Sequence, residues 1–216
     1  MKAVQKAYKV LRAGIIEGTY PPGSRVTEQD IALESGVSRT PVREAMRKLH
    51  AEGLLQFVPH QGAVVRAWSD ADAEEIFELR ALVESYVVQR AAERVSSEEL
   101  AELRRAAEEQ YAEVCSKNAG YMERIADVND RFHKLLQDAA RSERLKAILA
   151  TLAEAPLVFE TFRDYSEEEL QRSARHHLEI VEALECGDRT WAASVMRSHV
   201  LAARTTFRRM RSDAKE

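Results

Sequence analysis

The sequence predicts a mainly α-helical protein of two domains. The first is an N-terminal winged helix-turn-helix of three helices and a two-stranded wing, and the second is an antiparallel all-helical bundle of about six helices. Two uneven distributions support this prediction: ten of the 13 glycine and proline residues fall within residues 1–62, and basic residues outnumber acidic ones in residues 1–66 but not in the remainder taken together. Residues 1–66 carry ten basic and six acidic side chains, whereas the rest of the chain carries 22 and 30. A small, basic, turn-rich domain is therefore expected before a larger, acidic domain with few helix breakers.

The composition argues against several classes of protein. Apolar residues make up 45% of the 216 residues and charged residues 31%. The chain contains no run of about 18 uncharged apolar residues, and its N-terminal segment interleaves lysines with apolar residues, unlike a secretory signal. Cys115 and Cys186 lie far apart without CxxC spacing, so neither a disulfide framework nor a thiolate zinc site is indicated. We therefore expect a soluble, cytoplasmic protein with no membrane segment.

The N-terminal residues begin with two helical patterns and a turn. Apolar residues recur at helical spacing from Val4 to Ile15 and indicate one amphipathic helix. Thr27 with Asp30 resembles a capping box, and the short helix that it opens ends at Gly36. A further helix follows within three or four residues, which is the spacing of a helix-turn-helix.

That further helix begins near Pro41, which suits a first helical turn. Its apolar stripe consists of Val42, Ala45, Met46 and Leu49. After Gly53 the pattern changes to two extended segments, residues 54–58 and 63–66, around a turn that contains glycine. These segments predict the two-stranded wing.

The same helix carries side chains suited to reading DNA. When the apolar stripe is buried, the opposite face of the helix exposes guanidinium and hydroxyl groups. The residues that carry these groups are Ser38, Arg39, Thr40, Arg43 and Arg47. Arginine can bind guanine with two hydrogen bonds in the major groove, and hydroxyl groups can bind phosphate. The alternative is a solvated helix face with Glu44 as a local partner. Because one recognition helix covers only a half-site, DNA reading implies a homodimer on a palindromic double-stranded operator.

Apolar stripes recur between helix caps in the rest of the chain. Ser96 with Glu99, and Ser166 with Glu169, form capping boxes before long helices, and Gly187 ends one of these helices. About six helices with short connections predict an antiparallel bundle. We expect a DNA-binding domain at residues 1–66, a linker at 67–71, the helical domain at 72–210 and a tail at 211–216.

Three histidines occupy inward-facing positions of this bundle. His133 lies one turn after Asn129 and shares its helix face. His177 and His199 lie within the apolar stripes of two other helices. Imidazole nitrogens from three helices, with an amide nearby, can hold a divalent metal ion, and zinc or nickel suits such ligands. The alternative is that each histidine is a hydrogen-bonded core residue.

Both parts of the chain resemble known families through motifs that must occur in order. The segments PPGSRVTEQDIA (21–32) and GVSRTPVREAM (36–46), with LxxEGL at 49–54, resemble the GntR family of bacterial transcription regulators. The segments ELRALVE (78–84), NDRFH (129–133) and HLEI (177–180) resemble the FCD effector domain of its FadR subfamily. This resemblance implies DNA contacts mainly from Arg39 and Arg43, with help from Ser38, Thr40 and the wing residues His60 and Gly62. It also implies a divalent metal ion held by Asn129, His133, His177 and His199.

Arg80 is the candidate effector-binding residue. It lies on a largely apolar helix face, where an unpaired guanidinium would be costly. One interpretation is a structural ion pair with Glu84, one turn further on. The resemblance suggests another, in which Arg80 binds the carboxylate of a small acid held at the metal. The two interpretations are compatible.

The resemblance implies a transcription regulator of the repressor type. Its affinity for the operator would be controlled by a small organic acid, which binds together with a divalent metal ion in the helical domain. One alternative is a metal-dependent enzyme with a histidine-bound water. The lack of HExxH, of GxSxG and of a glutamate placed as a general base argues against it. The other alternative is a regulator with a metal-free pocket for a longer acyl ligand, which the three histidines disfavour.

Overall fold

Capped helices and one small sheet make up most of the described chain, so the fold is mainly helical, as the sequence predicts. The computed structural model describes residues 3–16, 18–59, 62–67, 69–152 and 165–213, which form two units that divide between Ala73 and Glu74. The first unit contains α1 (Ala3–Ile16), α2 (Glu28–Ser35), α3 (Arg39–Ala51), β1 (Arg25–Val26), β2 (Leu55–Val58) and β3 (Gly62–Val65).

The helix-turn-helix is formed by α2, a glycine turn and α3. The Thr27 hydroxyl oxygen accepts a hydrogen bond from the backbone N–H of Asp30 at 3.2 Å, which begins α2. Gly36 ends it with a positive φ of 61°, a conformation that a glycine adopts without strain. Three residues after Gly36, α3 begins, with Val42 and Leu49 fully buried in the core of this unit.

The sheet contains one strand more than the sequence predicts. The strands lie in the order β1-β3-β2, and all of the pairs are antiparallel. In β1, Arg25 pairs with Val64 and Val26 with Ala63. Because β1 is only two residues long, it contains too little alternation of apolar and polar residues to be recognised as a strand.

The second unit contains six helices among the described residues, in agreement with the predicted bundle. They are α4 (Asp70–Ala92), α5 (Ser97–Ser116), α6 (Tyr121–Ala139), α7 (Glu143–Leu152), α8 (Glu167–Glu185) and α9 (Arg189–Asp213). Helix α5 packs against α6 and α8, and α8 packs against α9. Helices α5 and α8 are antiparallel, because Lys117 at the end of α5 pairs with Glu167 at the start of α8, and Arg104 pairs with Glu185 near its end.

Helix α4 has apolar residues on two faces. Phe77 and Val88 are fully buried on the inner face. Leu79, Leu82 and Tyr86, which follow each other at helical spacing, are 40%, 58% and 49% exposed. The outer face of α4 therefore leaves a row of large apolar side chains in contact with solvent.

Removal of one capping box should weaken the second unit. Ser96 accepts a hydrogen bond from the backbone N–H of Glu99, whose carboxylate accepts one from the backbone N–H of Ser96 in return. We expect Ser96→Ala to lower the free energy of unfolding by about 1 kcal/mol, because a helix donor loses its partner. Urea unfolding followed by circular dichroism measures this change. Ser97→Ala, at the exposed next position, is the matched control, and equal losses in both variants would contradict the prediction.

Candidate DNA-binding surface and metal centre

The exposed face of α3 carries the side chains that the sequence selects for DNA. Ser38, Arg39, Thr40, Arg43 and Arg47 are all exposed, whereas the apolar stripe of the helix is buried. Ser38 occupies the N-cap position with an extended backbone, but its hydroxyl makes no capping hydrogen bond to a backbone N–H of α3. The hydroxyl, the guanidinium groups and the start of the helix therefore share one solvent-facing surface, which could enter a major groove.

Two residues of α2 contact the arginines of this surface. Arg43 donates two hydrogen bonds to the carboxylate of Glu28, from Nε at 2.7 Å and from Nη2 at 2.9 Å. Arg39 donates one to the amide oxygen of Gln29 at 3.3 Å. The hydrogen bonds from Arg43 hold the pKa of Glu28 below its ordinary value. The sequence analysis missed the Glu28 contact, because residues 15 positions apart on different helices show no local pattern.

Of the two wing residues that the resemblance selects, Gly62 belongs to the described part of the chain. Gly62 is exposed at the start of β3 and has a φ of 83°, which other residues rarely adopt. His60 lies outside the described residues.

The three inward-facing histidines meet inside the second unit. Helix α6 provides His133, α8 provides His177 and α9 provides His199. The centres of the three rings lie 4.7–5.4 Å apart, and one nitrogen from each ring lies within 4.8 Å of the others. Phe132 stacks on the His177 ring at 4.0 Å and so fixes its plane. His176, the neighbouring histidine, is half-buried and does not belong to this group.

The environment of His177 and His199 keeps these two side chains uncharged. His177 is fully buried, and burial together with the nearby imidazoles holds its pKa well below the ordinary value. Burial also lowers the pKa of His199, with His133 as the next cause. A neutral imidazole carries a free lone pair on one nitrogen, which is the form that binds a metal ion. Two of the three donors are therefore ready to coordinate near neutral pH.

A buried carboxylate on α4 sets the orientation of the third histidine. One oxygen of Glu84 lies 3.1 Å from His133 Nδ1, and the other accepts a hydrogen bond from Arg80 Nε at 2.8 Å. Burial acts to raise the pKa of Glu84, but the Arg80 charge and the His133 hydrogen bond outweigh it, so the pKa lies well below its ordinary value. The ionised carboxylate accepts the Nδ1 proton, which leaves Nε2 of His133 free to be a ligand.

Arg80 is 8% exposed and forms the ion pair with Glu84 that the sequence analysis considered. No local sequence pattern predicts that Glu84 also contacts His133, because that contact joins two helices far apart along the chain. The ion pair engages Nε, while the two terminal nitrogens of a guanidinium carry four further donors. Burial is the main cause of the lowered pKa of His199, and the charge of Arg80 contributes to it.

Asn129 fits a role as an oxygen ligand beside the histidines. It lies one turn before His133 on α6 and is 8% exposed. Its buried Oδ1 has no hydrogen-bond partner among the described residues. An unpartnered buried carbonyl oxygen is costly, and a bound cation would satisfy it. Together with the three imidazoles, this amide oxygen would complete a donor set that suits a borderline divalent ion such as zinc or nickel.

Both units match family models. Residues 3–65 match the model described as bacterial regulatory proteins, gntR family, and residues 75–202 match the FCD domain, which covers more than half of the chain. Within the part of the chain that the structure describes, no helix is long and apolar enough to cross a membrane.

Relatives and solved structures agree with these matches. The chain is 27% identical to the HTH-type transcriptional repressor RspR of Escherichia coli, over 97% of this chain and 90% of RspR. It is 34% identical to an uncharacterized HTH-type transcriptional regulator, YdhC of Bacillus subtilis, over 66% of this chain but only 62% of YdhC. The structure of E. coli McbR/YncC superposes with a TM-score of 0.80 at 21% identity, covering 97% of this chain and 99% of that one, and supports the fold alone.

A winged helix-turn-helix with a basic exposed face, followed by a helical domain with a buried polar site, defines a DNA-binding transcription regulator that responds to a small molecule. The chain belongs to the GntR family and carries the FCD domain of its FadR-type subfamily. The relatives that match this chain are transcription regulators and not enzymes, which argues against the metal-dependent enzyme considered from the sequence.

If Arg43 reads a base edge, Arg43→Ala should reduce operator affinity by about 1–3 kcal/mol, because that guanidinium contact is lost. A gel-shift titration at fixed salt concentration measures this change. Arg105→Ala is the control, because it removes the same charge from an exposed position on α5 in the other unit. If both variants bind the operator as the wild type does, Arg43 is not a DNA-reading residue.

His133→Ala should abolish stoichiometric metal binding, because the histidine group loses one of its three nitrogen donors. Metal analysis after dialysis against a low, buffered concentration of free zinc or nickel measures the loss. His176→Ala is the matched control and should retain the metal, since His176 lies beside the group without belonging to it. Stoichiometric metal in a variant lacking His133, His177 and His199 together would rule out this site.

Proposed function

We propose that this chain is a cytoplasmic repressor that binds a palindromic operator as a homodimer and releases it when a small carboxylic acid binds. The acid would bind together with a divalent metal ion, zinc or nickel, in an effector domain spanning residues 72–210. The observation that carries this proposal is the buried group of His133, His177 and His199. Three imidazoles inside a helical bundle, one of them oriented by a carboxylate, would form a prepared metal site.

Operator binding is assigned to residues 1–66, and residues 67–71 are the proposed linker. The contacts would come from Ser38, Arg39, Thr40, Arg43, Arg47, His60 and Gly62. The shared exposure of the α3 side chains supports this assignment. A repressing role is supported by RspR, a relative that matches nearly the whole chain and is named a transcriptional repressor.

A carboxylic acid is the proposed effector because both cationic groups at the site favour an anion. The metal ion, held by Asn129 and the three histidines, would bind a carboxylate directly. Arg80 would donate from its terminal nitrogens while its Nε stays bound to Glu84. A small cavity beside His133 and Glu84, lined also by Val88 and Met196, lies next to the metal site. A metal-free pocket for a longer acyl ligand would leave the three buried histidines without a role.

The homodimer is supported by the outer face of α4. Leu79, Leu82 and Tyr86 are exposed together, and apolar rows of this kind mark protein interfaces. The palindromic operator requires a second copy of this same chain, and a two-fold interface places the same patch on both copies. We therefore assign these three residues to the contact between protomers.

Release of the operator by an acid with metal tests the whole proposal. The operator is first selected by the full-length protein from random-sequence DNA, and sedimentation of the complex should give two chains per operator. We expect zinc or nickel with a small organic acid to release this DNA, and the operator to weaken acid binding by the same factor, because the linkage is reciprocal.

The variant lacking all three histidines should bind the operator, and its operator affinity should not change when acid and metal are added. A screen by thermal unfolding identifies the acids, because a ligand of the folded state raises apparent stability. Release by long-chain acyl ligands without metal, or one chain per operator, would contradict the proposal.

A further inference from the structure

The last turn of α3 carries a histidine that the DNA-binding motif leaves unspecified. His50 is exposed and lies one turn after Arg47, so it continues the face of α3 that carries the arginines. It occupies the first unspecified position of the LxxEGL motif at 49–54. Because α3 ends at Ala51 and β2 begins at Leu55, His50 lies where this face of the helix meets the wing.

His50 forms a hydrogen bond with the first residue of the wing. Its Nδ1 lies 2.8 Å from the carbonyl oxygen of Leu55. A carbonyl oxygen can only accept, so Nδ1 carries the proton of this bond. Strand β2 lies at an edge of the sheet. Because the backbone N–H of Arg66 donates to the carbonyl of Leu54, the next carbonyl, that of Leu55, points away from β3. His50 therefore satisfies an acceptor that the sheet leaves open.

The same imidazole contacts an aromatic side chain further along β2. The Phe57 ring meets it edge to face, and the ring centres lie 5.1 Å apart. Leu55 is buried in the core of this unit, whereas Gln56 and Phe57 are exposed, so β2 leaves the core after Leu55. Beyond that point the strand is held by its pairing with β3 and by the contact of Phe57 with His50.

The contacts with His50 support a part of the wing that has only two strands. Strand β1 pairs with Ala63 and Val64, so the pair of Val58 with Gly62 extends beyond it. A ribbon of two strands is only marginally stable in water. Gly62 is a proposed operator contact, and its distance from the arginines of α3 depends on how firmly β2 is attached to that helix. A wing that is ordered before binding loses less conformational entropy on the DNA.

We propose that His50 is a positioning residue for operator binding, which attaches the wing to the end of α3 through the Leu55 carbonyl and the Phe57 ring. The inference rests on the proposed operator contacts and adds the residue that sets their spacing. The two elements then reach the DNA as one preset surface, with α3 in the major groove and the wing on the DNA beside it. This surface fits a half-site in which the two contacts lie at one fixed distance.

Footprints of the whole chain on its selected operator, taken at saturating protein, separate the two elements. Dimethyl sulfate reports guanine N7, which lies in the major groove where α3 would bind. Hydroxyl radicals report the sugars, including those that flank the major-groove contacts, where the wing would bind. For the wild type we expect both the guanines and the flanking sugars to be protected.

His50→Ala should lose the protection of the flanking sugars and keep that of the guanines, because α3 keeps its arginines while the wing loses its attachment. Operator affinity should fall by about threefold to tenfold, which is the net contribution of one hydrogen bond. Phe57→Ala removes only the ring contact, from an exposed position, and should weaken the same sugar protection. It tests the attachment if His50→Ala does not fold. Gln56→Ala, at the neighbouring exposed position on the opposite face of β2, is the matched control and should bind as the wild type does.

The variant with both substitutions should bind the operator no more weakly than His50→Ala, because the two changes break one attachment. Equal loss of guanine and sugar protection in the single variants, or sugar protection that neither variant changes, would overturn the positioning role. Protected guanines without protected flanking sugars in the wild type would also overturn it, while operator binding stands. If the wild type selects and protects no DNA, the proposed function fails, and the inference with it.

Discussion

The carboxylate of Glu84 connects the parts of the effector domain on which the regulator depends. It lies inside the bundle, where an unpaired charge would be strongly destabilising, and each of its oxygens has one partner. Arg80 compensates its charge, and His133 provides a proton that Glu84 holds on Nδ1. This single side chain therefore stabilises the buried guanidinium of Arg80, orients the imidazole of His133 and links helix α4 to helix α6.

The position of this carboxylate also relates the metal site to the outer surface of the domain. Glu84 and Arg80 lie on the inner face of α4, and Leu82 and Tyr86 lie on its outer face. A change at the histidine group that moves the Glu84 backbone would also move the helix that presents the exposed row. Because an α-helix is stiff along its length, α4 could carry a local event at the site to the proposed contact between protomers.

Sequence patterns predicted those features that depend on local chemistry. The capping boxes at Ser96 and Ser166 were predicted from their spacing, since a helix end needs partners for its free N–H groups whatever packs around it. The convergence of three histidines followed from the apolar stripes that contain them. The turn before α3 was predicted from Gly36 alone, because a glycine readily adopts the left-handed backbone that ends a helix.

Features that depend on distant parts of the chain were not predicted. The strand β1 exists because β3 provides hydrogen-bond partners for two residues that show no strand pattern of their own. The contact between Glu84 and His133 joins helices whose relative rotation no local pattern defines. The apolar residues of α4 indicated a helix, but they could not indicate that Leu82 would lie outside, because periodicity does not show which face is covered.

The ion pair between Arg43 and Glu28 has a consequence for how DNA is selected. Glu28 already offers Arg43 two acceptors in the planar arrangement that a guanidinium fits, so a DNA group must match that arrangement to replace it. The edge of guanine presents two acceptors in this way, and so can the free oxygens of a phosphate. If Arg43 contacts DNA as proposed, the DNA group that it binds must therefore compete with a carboxylate. Glu28 would then discriminate against contacts that offer Arg43 only one acceptor, and this favours specific contacts over general attraction to DNA.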